Sequence, residues 1–267
     1  MLGKHLAVAL DPSLVLVRQG LTPDAWQQNV LRSTARQQLL LCTRQAGKST
    51  ATAALAAHAA VYDPGSLTLI GSPSLDQSKE LFRKVKAALA ALPATPRVAV
   101  DNTTSLELVT GSRIEALPQN EKTIRGYSRV ALLILDEAAR IEDPYFHAIY
   151  PVLSVSGGRL VALSTPFGQI GWFWEMWTHG GADWERTIIT AHDCPRISPS
   201  FLEEARRTLG ERQYRQEYLC SFEDRIAQLF SSESIFGAVS ADVQPLFGSP
   251  MGETGRSSNV QPLFSRS

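Results

Sequence analysis

The sequence is poor in cysteine and has no net charge. Its three cysteines, Cys42, Cys194 and Cys220, are far apart and form no C-x-x-C pair. The spacing therefore predicts neither a disulfide framework nor a structural metal site, and we expect reduced, buried thiols in a cytosol. The 26 basic residues balance 26 acidic ones. This balance excludes a global positive field, so any contact with nucleic acid must be local.

Long apolar runs are also missing. No stretch of about 18 consecutive apolar residues is present, so no membrane-spanning helix is predicted. The short apolar patch at the N-terminus is interrupted by Asp11 and Pro12, and no small-residue cleavage site follows it, so we expect no secretion signal. With 267 residues and a hydrophobic content of 44%, the chain can form one large globular core.

From Gln37 onward, short apolar runs alternate with helical segments, which predicts an α/β fold with a mainly parallel sheet. The predicted parallel strands are 37–42, 67–71, 130–135, 159–163 and 184–190. The predicted helices are 49–62, 75–92, 143–154, 169–178, 198–208 and 211–220. Residues 97–101, 105–109 and 113–117 predict a small antiparallel excursion. Residues 231–267 are rich in Ser, Gly and Pro and contain VQPLF twice, which predicts a disordered, flexible tail after a domain at 1–230.

A candidate phosphate-binding loop follows the first strand. Residues 42–49 (CTRQAGKS) lie between a buried strand and a helix, where backbone amides can face phosphates. Gly47 allows close approach of the backbone, Lys48 can neutralise phosphate charge, and the Ser49 hydroxyl can bind Mg²⁺. Cys42 replaces the usual first glycine, so a chance G-K-S sequence at a helix start is the alternative.

A pair of acids ends the apolar strand at 130–135. Neighbouring carboxylates there would be poorly solvated, so a bound cation is a natural reason for Asp136, and Glu137 can accept a proton from an attacking water. The alternative is that the pair caps the next helix. Ser164, Thr165 and Pro166 end the following strand, where the hydroxyls can sense a terminal phosphate, although ordinary turn chemistry also explains them.

Taken in order, these motifs resemble the ATPase domain of tailed-bacteriophage terminase large subunits, over residues 15–230. The family's R-Q-x-G-K-S loop, which also lacks the leading glycine, matches residues 44–49; its L-D-E-A-A matches 135–139 and its S-T-P-x-G matches 164–168. Residues 23–27 resemble its adenine-reading motif. Gly71, Ser72 and Pro73 with Gln77, then 171–174 and 216–219, resemble further family segments.

The resemblance implies a P-loop NTPase of the RecA/ASCE type that uses ATP and Mg²⁺. It implies a nucleotide-binding set of Gln27, Arg44, Gln45, Ala46, Gly47, Lys48, Ser49 and Thr50. Ser49 and Asp136 would bind Mg²⁺, Glu137 would activate water, and Ser164, Thr165 and Pro166 would couple hydrolysis to movement. Arg125 occupies the place of an arginine finger supplied to a neighbouring subunit, and Arg44 is the competing candidate within the loop.

The implied function is a MgATP-hydrolysing motor that moves double-stranded viral DNA into a procapsid. Implied partners are the portal or procapsid, a small terminase subunit and further copies of the chain in a ring, all in the host cell cytoplasm. Because only 231–267 follow the domain, we expect no nuclease domain. A helicase-like DNA translocase outside packaging and a non-catalytic nucleotide-binding assembly scaffold remain alternatives.

Two of the residue assignments have alternatives of their own. Gln27 could be an ordinary exposed helix residue instead of a base-reading side chain. The tryptophans at 172, 174 and 177 could stack on bases, but their helical spacing favours packing in the core.

Overall fold

The computed structural model describes residues 2–93, 95–120, 124 and 126–223. The predictions for Arg125 and for the tail at 231–267 with its VQPLF repeats lie outside the described residues. Within the described ranges, no helix has the length and apolar character needed to cross a bilayer.

One eight-stranded sheet organises the chain, in the order β3-β4-β5-β2-β6-β7-β1-β8. Neighbours from β5 to β8 pair in parallel, whereas β3 with β4 and β4 with β5 pair antiparallel. The strands are β1 Gln37–Cys42, β2 Leu67–Gly71, β3 Val98–Asp101, β4 Ser105–Leu108, β5 Arg113–Ala116, β6 Val130–Asp136, β7 Arg159–Ser164 and β8 Trp184–Ile189. The predicted α/β class, with a mainly parallel sheet and a small antiparallel excursion, is confirmed for the described residues.

Helices cover the sheet, and those that follow β1 have bounds close to the predicted ones. They are α1 Leu2–Leu10, α2 Leu14–Arg18, α3 Ala25–Arg32, α4 Lys48–Tyr62, α5 Leu75–Ala91, α6 Asp143–Ile149, α7 Gly171–His179 and α8 Pro199–Leu219. The helix predicted at 143–154 ends at Ile149 and continues as a 3₁₀ turn over Tyr150–Leu153, because Pro151 cannot donate a helical hydrogen bond. Gly210 has non-helical dihedral angles, φ 76° and ψ 161°, so the run labelled α8 consists of two helices that meet at a kink, as predicted from 198–208 and 211–220.

The central strand β6 is buried on both faces. Leu132 and Ile134 belong to an apolar cluster with α4 and α5, and Leu133 and Leu135 belong to a cluster with α6 and α7 on the opposite face. This two-sided burial explains why the sequence of β6 is apolar without alternation. The cysteines are buried and free, as expected.

Two of the three tryptophans of α7, Trp172 and Trp177, pack against aromatic rings outside that helix. Trp172 is 3% exposed, stacks on Phe146 with ring centroids 3.7 Å apart, and donates a hydrogen bond from Nε1 to the carbonyl of Ile141. Trp177 packs near the rings of Phe173 and Phe222. Trp172 is therefore a core residue in this structure.

Candidate nucleotide-binding site

The sheet order places three candidate segments side by side. Strand β7 lies between β1 and β6, and all three run parallel, so their carboxyl ends meet at one edge. The loop at 43–47 follows β1, Asp136 ends β6 and Ser164 ends β7. Ligands of open α/β sheets bind at this edge.

The loop before α4 has a conformation that depends on glycine. Gly47 has φ 90° and immediately precedes Lys48, the first residue of α4, while Gln45 also has a positive φ of 59°. A Cβ atom at Gly47 would lie 2.9 Å from Nε2 of Gln27. The α4 N-terminus thus presents backbone amides and the positive end of the helix dipole at the cleft, which suits an anion.

The loop and the acid pair are in direct contact. Nζ of Lys48 lies 2.9 Å from Oε1 of Glu137, and the hydroxyl of Ser49 donates to Oδ2 of Asp136 at 3.1 Å. The Lys48 side chain is 11% exposed and that of Glu137 is 26% exposed. The structure therefore brings together the residues that the sequence singled out for phosphate, metal and water.

Asp136 is held in a poorly hydrated position. Burial raises the pKa of its carboxyl, while the charge of Lys48 and hydrogen bonds from Ser49 and the Glu137 amide act in the opposite direction. The amide of Glu137 donates to Oδ1 at 2.9 Å. A buried carboxylate beside a serine hydroxyl offers the hard oxygen ligands that Mg²⁺ prefers. In the described part of the chain, no group of three or more His, Cys, Asp or Glu side chains could hold a metal ion.

Glu137 turns away from Asp136 because its backbone is left-handed, with φ 50° and ψ 40°. A 3₁₀ turn over Ala138–Arg140 follows, and Nη1 of Arg140 lies 2.9 Å from Oε2 of Glu137. The two carboxylates thus face different partners. Both side chains lie in the site at the carboxyl end of β6. Glu137 also occupies the N-cap position of the short 3₁₀ turn.

The turn after β7 contacts the acid segment. The Ala139 amide donates to the Ser164 hydroxyl at 3.1 Å, and Arg140 Nη1 donates to the Thr165 hydroxyl at 3.1 Å. Pro166 is buried beside them. Ser164 and Thr165 are thereby linked to the segment that carries Glu137.

Arg44 is tied to the last helix. Its Nε donates to Oε2 of Glu217, and this pairing raises the pKa of the guanidinium. The Glu217 carbonyl accepts from the Thr43 hydroxyl at 2.9 Å, and Gln213 donates to Oε1 of Glu217 at 3.1 Å. Sequence reasoning assigned no role to Glu217, although it lies in a segment that resembles the family.

Gln27 is 5% exposed and faces the loop, so it is not an exposed helix residue. Its Oε1 accepts from the Asp24 amide at 2.9 Å, and its Nε2 lies 3.4 Å from the Gly47 carbonyl. Arg196 pairs with Asp24 through both carboxylate oxygens and donates to the carbonyl of Ala46 at 2.9 Å. These residues border a cleft of about 470 Å³ beside Thr50. Arg196 carried no recognisable motif and was missed.

A second cleft, of about 510 Å³, is lined by the loop and by the segment that carries Glu137 and Arg140. Its charged lining consists of the four cations Arg44, Lys48, Lys84 and Arg140 and the single carboxylate of Glu137. Gln45, Ser49, Thr50, Gln77 and Thr165 add polar groups. An excess of cations around a helix N-terminus suits a polyanion such as a triphosphate.

The fold and this site define a P-loop NTPase, and the comparisons identify the family. The model for "Terminase large subunit, T4likevirus-type, N-terminal" matches residues 39–237. The chain therefore belongs to the terminase large-subunit family, and the resemblance inferred from its motifs is confirmed.

Individual relatives agree with this membership. The terminase large subunit of Escherichia phage T5 is 25% identical over 84% of this chain and 53% of its own length, so the chain spans about half of that relative. The large terminase ATPase domain of Thermus phage P74-26 is 26% identical, with a TM-score of 0.66 over 78% of this chain and 97% of that one. The large terminase of a thermophilic bacteriophage in complex with ADP shares the fold, at 16% identity and a TM-score of 0.61 over 74% of this chain and 53% of that one.

Proposed function

We propose that this chain is a MgATP-hydrolysing motor domain that powers movement of double-stranded viral DNA into a procapsid. The observation that carries the proposal is the convergence of Lys48 and Ser49 with Glu137 and Asp136, at 2.9 and 3.1 Å. Similarity to a terminase ATPase domain over nearly the whole of that domain supports it.

The phosphates would lie against the α4 N-terminus in the larger cleft, with Lys48 as the cation that contacts them. Amides of Gln45, Ala46, Gly47, Lys48, Ser49 and Thr50 would face them, and the Lys48 ammonium would pass from Glu137 to the phosphate oxygens. The base would enter the smaller cleft beside Gln27. That side chain is already fixed by the Asp24 amide, so its free amide hydrogen can read a base edge with little loss of entropy.

Ser49 and Asp136 would hold Mg²⁺, directly or through water. Their adjacent oxygens and the burial of Asp136 fit a small hard cation that keeps most of its ligands from water and phosphate. When bound, the ion neutralises charge that develops on the phosphate oxygens.

Glu137 would orient the attacking water and accept its proton as the bond to the γ-phosphate breaks, leaving ADP and inorganic phosphate. An arginine would stabilise charge on the phosphoryl oxygens. Arg125 of a neighbouring copy is our first candidate, on sequence grounds alone, and Arg44 is the candidate within the same copy. Ser164, Thr165 and Pro166 would transmit the loss of phosphate to a moving part.

The proposal extends to the whole assembly. The domain at 1–230 would act in a ring docked on a portal or procapsid in the host cell, with a small terminase subunit as a further partner.

Steady-state release of phosphate from ATP tests the catalytic part. The unaltered chain should turn over with Mg²⁺, Lys48→Ala should lose ATP-analogue binding, and Glu137→Gln should bind normally while turnover falls by about 10²-fold or more. Binding without turnover in the unaltered chain would favour the scaffold. Turnover stimulated by free DNA and indifferent to procapsids would favour a translocase outside packaging.

A mixing experiment tests the ring and the finger together. Arg125→Ala and Lys48→Ala proteins, each inactive alone, should regain part of the activity when mixed, because one copy supplies the arginine and the other the intact loop. If no activity returns at concentrations where rings form, Arg125 does not act between subunits.

A further inference from the structure

We propose that Arg140 is a positioning residue that fixes the Glu137 carboxylate and links it mechanically to the turn at Ser164–Pro166. The inference rests on the proposed ATPase function. It assigns a role to a side chain that adjoins the acid pair and that no motif singled out.

The backbone brings Arg140 back over Glu137. The left-handed conformation of Glu137 reverses the chain at the end of β6, and the Arg140 amide then bonds to the Glu137 carbonyl at 2.9 Å. This hydrogen bond between residues three apart closes a tight turn over positions 137–140. The main chain therefore holds the two residues close enough for their side chains to meet.

Three groups fix the guanidinium. Nη1 contacts Oε2 of Glu137 at 2.9 Å and the hydroxyl of Thr165 at 3.1 Å, and the guanidinium carbon lies 4.5 Å from the ring centre of Phe167. The planar face of arginine can stack on an aromatic ring while its edge donates hydrogen bonds, which lysine cannot do. Arg140 is thus held by Thr165 and Phe167, both in the segment that follows β7, while it contacts the Glu137 carboxylate.

Lys48 and Arg140 divide the Glu137 carboxylate between them, since Oε1 faces Lys48 and Oε2 faces Arg140. In the proposed mechanism Lys48 turns to the phosphates. Arg140 then remains as the cation that keeps the carboxylate in place, with Oε1 free to take the proton of water. A movement of the Thr165 turn would pull on Arg140 and so rotate the base.

If Arg140 only stabilised the fold, removal of its side chain would lower the stability of the protein. Both side chains of the Arg140–Glu137 pair are 26% exposed. Partly exposed pairs at this spacing contribute little to stability. Removal of Arg140 should therefore leave the fold intact while changing catalysis.

The test compares Arg140→Ala and Arg140→Lys with Arg83→Ala, which breaks a matched i,i+3 pair with Glu80 on the surface of α5. For Arg140→Ala, we expect kcat to fall at least tenfold, with the KM for ATP, the affinity for an ATP analogue and the unfolding temperature near those of the unaltered chain. Arg140→Lys should recover only part of kcat, and added methylguanidinium should partly rescue Arg140→Ala. Arg83→Ala should match the unaltered chain.

A double-variant comparison isolates the link to Thr165. Thr165→Val should lower kcat less than Arg140→Ala does, and the double variant should equal Arg140→Ala alone because both act through one contact. Unchanged kcat in Arg140→Ala, a loss confined to KM or folding, or additive effects would overturn the inference. If the unaltered chain does not hydrolyse ATP, the proposed function itself fails, which is a separate result.

Discussion

The hydroxyl of Ser49 donates a hydrogen bond to Oδ2 of Asp136 at 3.1 Å, although 87 positions separate the two residues in the sequence. This contact joins the start of α4 to the end of β6 across β7. It places the two proposed Mg²⁺ ligands at the point where the carboxyl ends of three parallel strands meet.

Asp136→Asn should lower activity and raise stability together. Burial raises the pKa of Asp136 in the folded chain. As the pH rises from the ordinary pKa of aspartate to this raised pKa, the unfolded chain ionises more readily than the folded one, so the folded state loses stability. An asparagine does not have this cost. We expect the variant to unfold at higher urea concentration than the unaltered chain at pH 7, with the difference shrinking as the pH falls towards 4, and to lose at least about tenfold in turnover, or about 1.4 kcal/mol.

Urea unfolding at several pH values and a Mg²⁺ titration of phosphate release check this prediction. Asp76→Asn is the control, because the Asp76 side chain is 94% exposed. A stability difference between Asp136→Asn and the unaltered chain that is the same at pH 4 and pH 7 would contradict the argument from burial.

Gly47→Ala should damage both the fold and nucleotide binding. A residue with φ 90° is strained if it carries a side chain, and the new Cβ would also lie 2.9 Å from Nε2 of Gln27. Gly65→Ala is a matched control, since Gly65 has φ 79° and open space around it. We expect each variant to lose about 1 kcal/mol or more of unfolding free energy from backbone strain. Only Gly47→Ala should weaken ATP-analogue binding in a fluorescence titration, and equal affinities would contradict the role given to Gln27 and the loop.

The sequence predicted the parts of this site that depend on local pattern. Each of these signals consists of consecutive residues. The apolar runs locate the strand ends and the acid pair, and the G-K-S sequence locates the loop with Lys48. The break in the helical run at 199–219 was predicted for the same reason, because glycine is a poor helix former, and the backbone of Gly210 is non-helical in the structure.

Other parts depend on contacts between distant segments. Glu217 meets Arg44, and Arg196 meets Asp24, only after the last helix and the segment before it return to the loop. No spacing rule relates these positions. The role of Arg140 follows from the left-handed backbone at Glu137, an unusual conformation for a residue other than glycine that the sequence pattern did not indicate.

The ionised carboxylate of Asp11 should stabilise the folded chain at neutral and mildly acidic pH but not at strongly acidic pH. A hydrogen bond and ion pair with Arg32 lower the pKa of Asp11 to about 2 from 3.8. Its contribution is therefore present above about pH 4 and is lost as the pH falls through about 2. Because the Arg32 side chain is half exposed, we expect Asp11→Asn to lower the unfolding temperature at pH 7 by no more than about 3 °C. Asp183→Asn, at an exposed position, should show no such change, and a deficit of Asp11→Asn that persists at pH 2 would contradict the assignment.

Glu217→Gln should release Arg44 towards the phosphates. Glu217 is 5% exposed and holds Arg44 through its carboxylate, and the neutral amide keeps the shape but not the charge. If Arg44 acts within its own copy, we expect tighter ATP-analogue binding by a few-fold, since a full tenfold gain requires about 1.4 kcal/mol. Arg44→Ala should lower turnover, and adding Glu217→Gln to it should leave affinity unchanged, because no guanidinium remains to be released. Gln213→Ala removes the other partner of Glu217 while leaving the ion pair, and serves as the control. A gain in affinity for Glu217→Gln that survives in the Arg44→Ala background would show that the effect arises from α8 itself and not from Arg44.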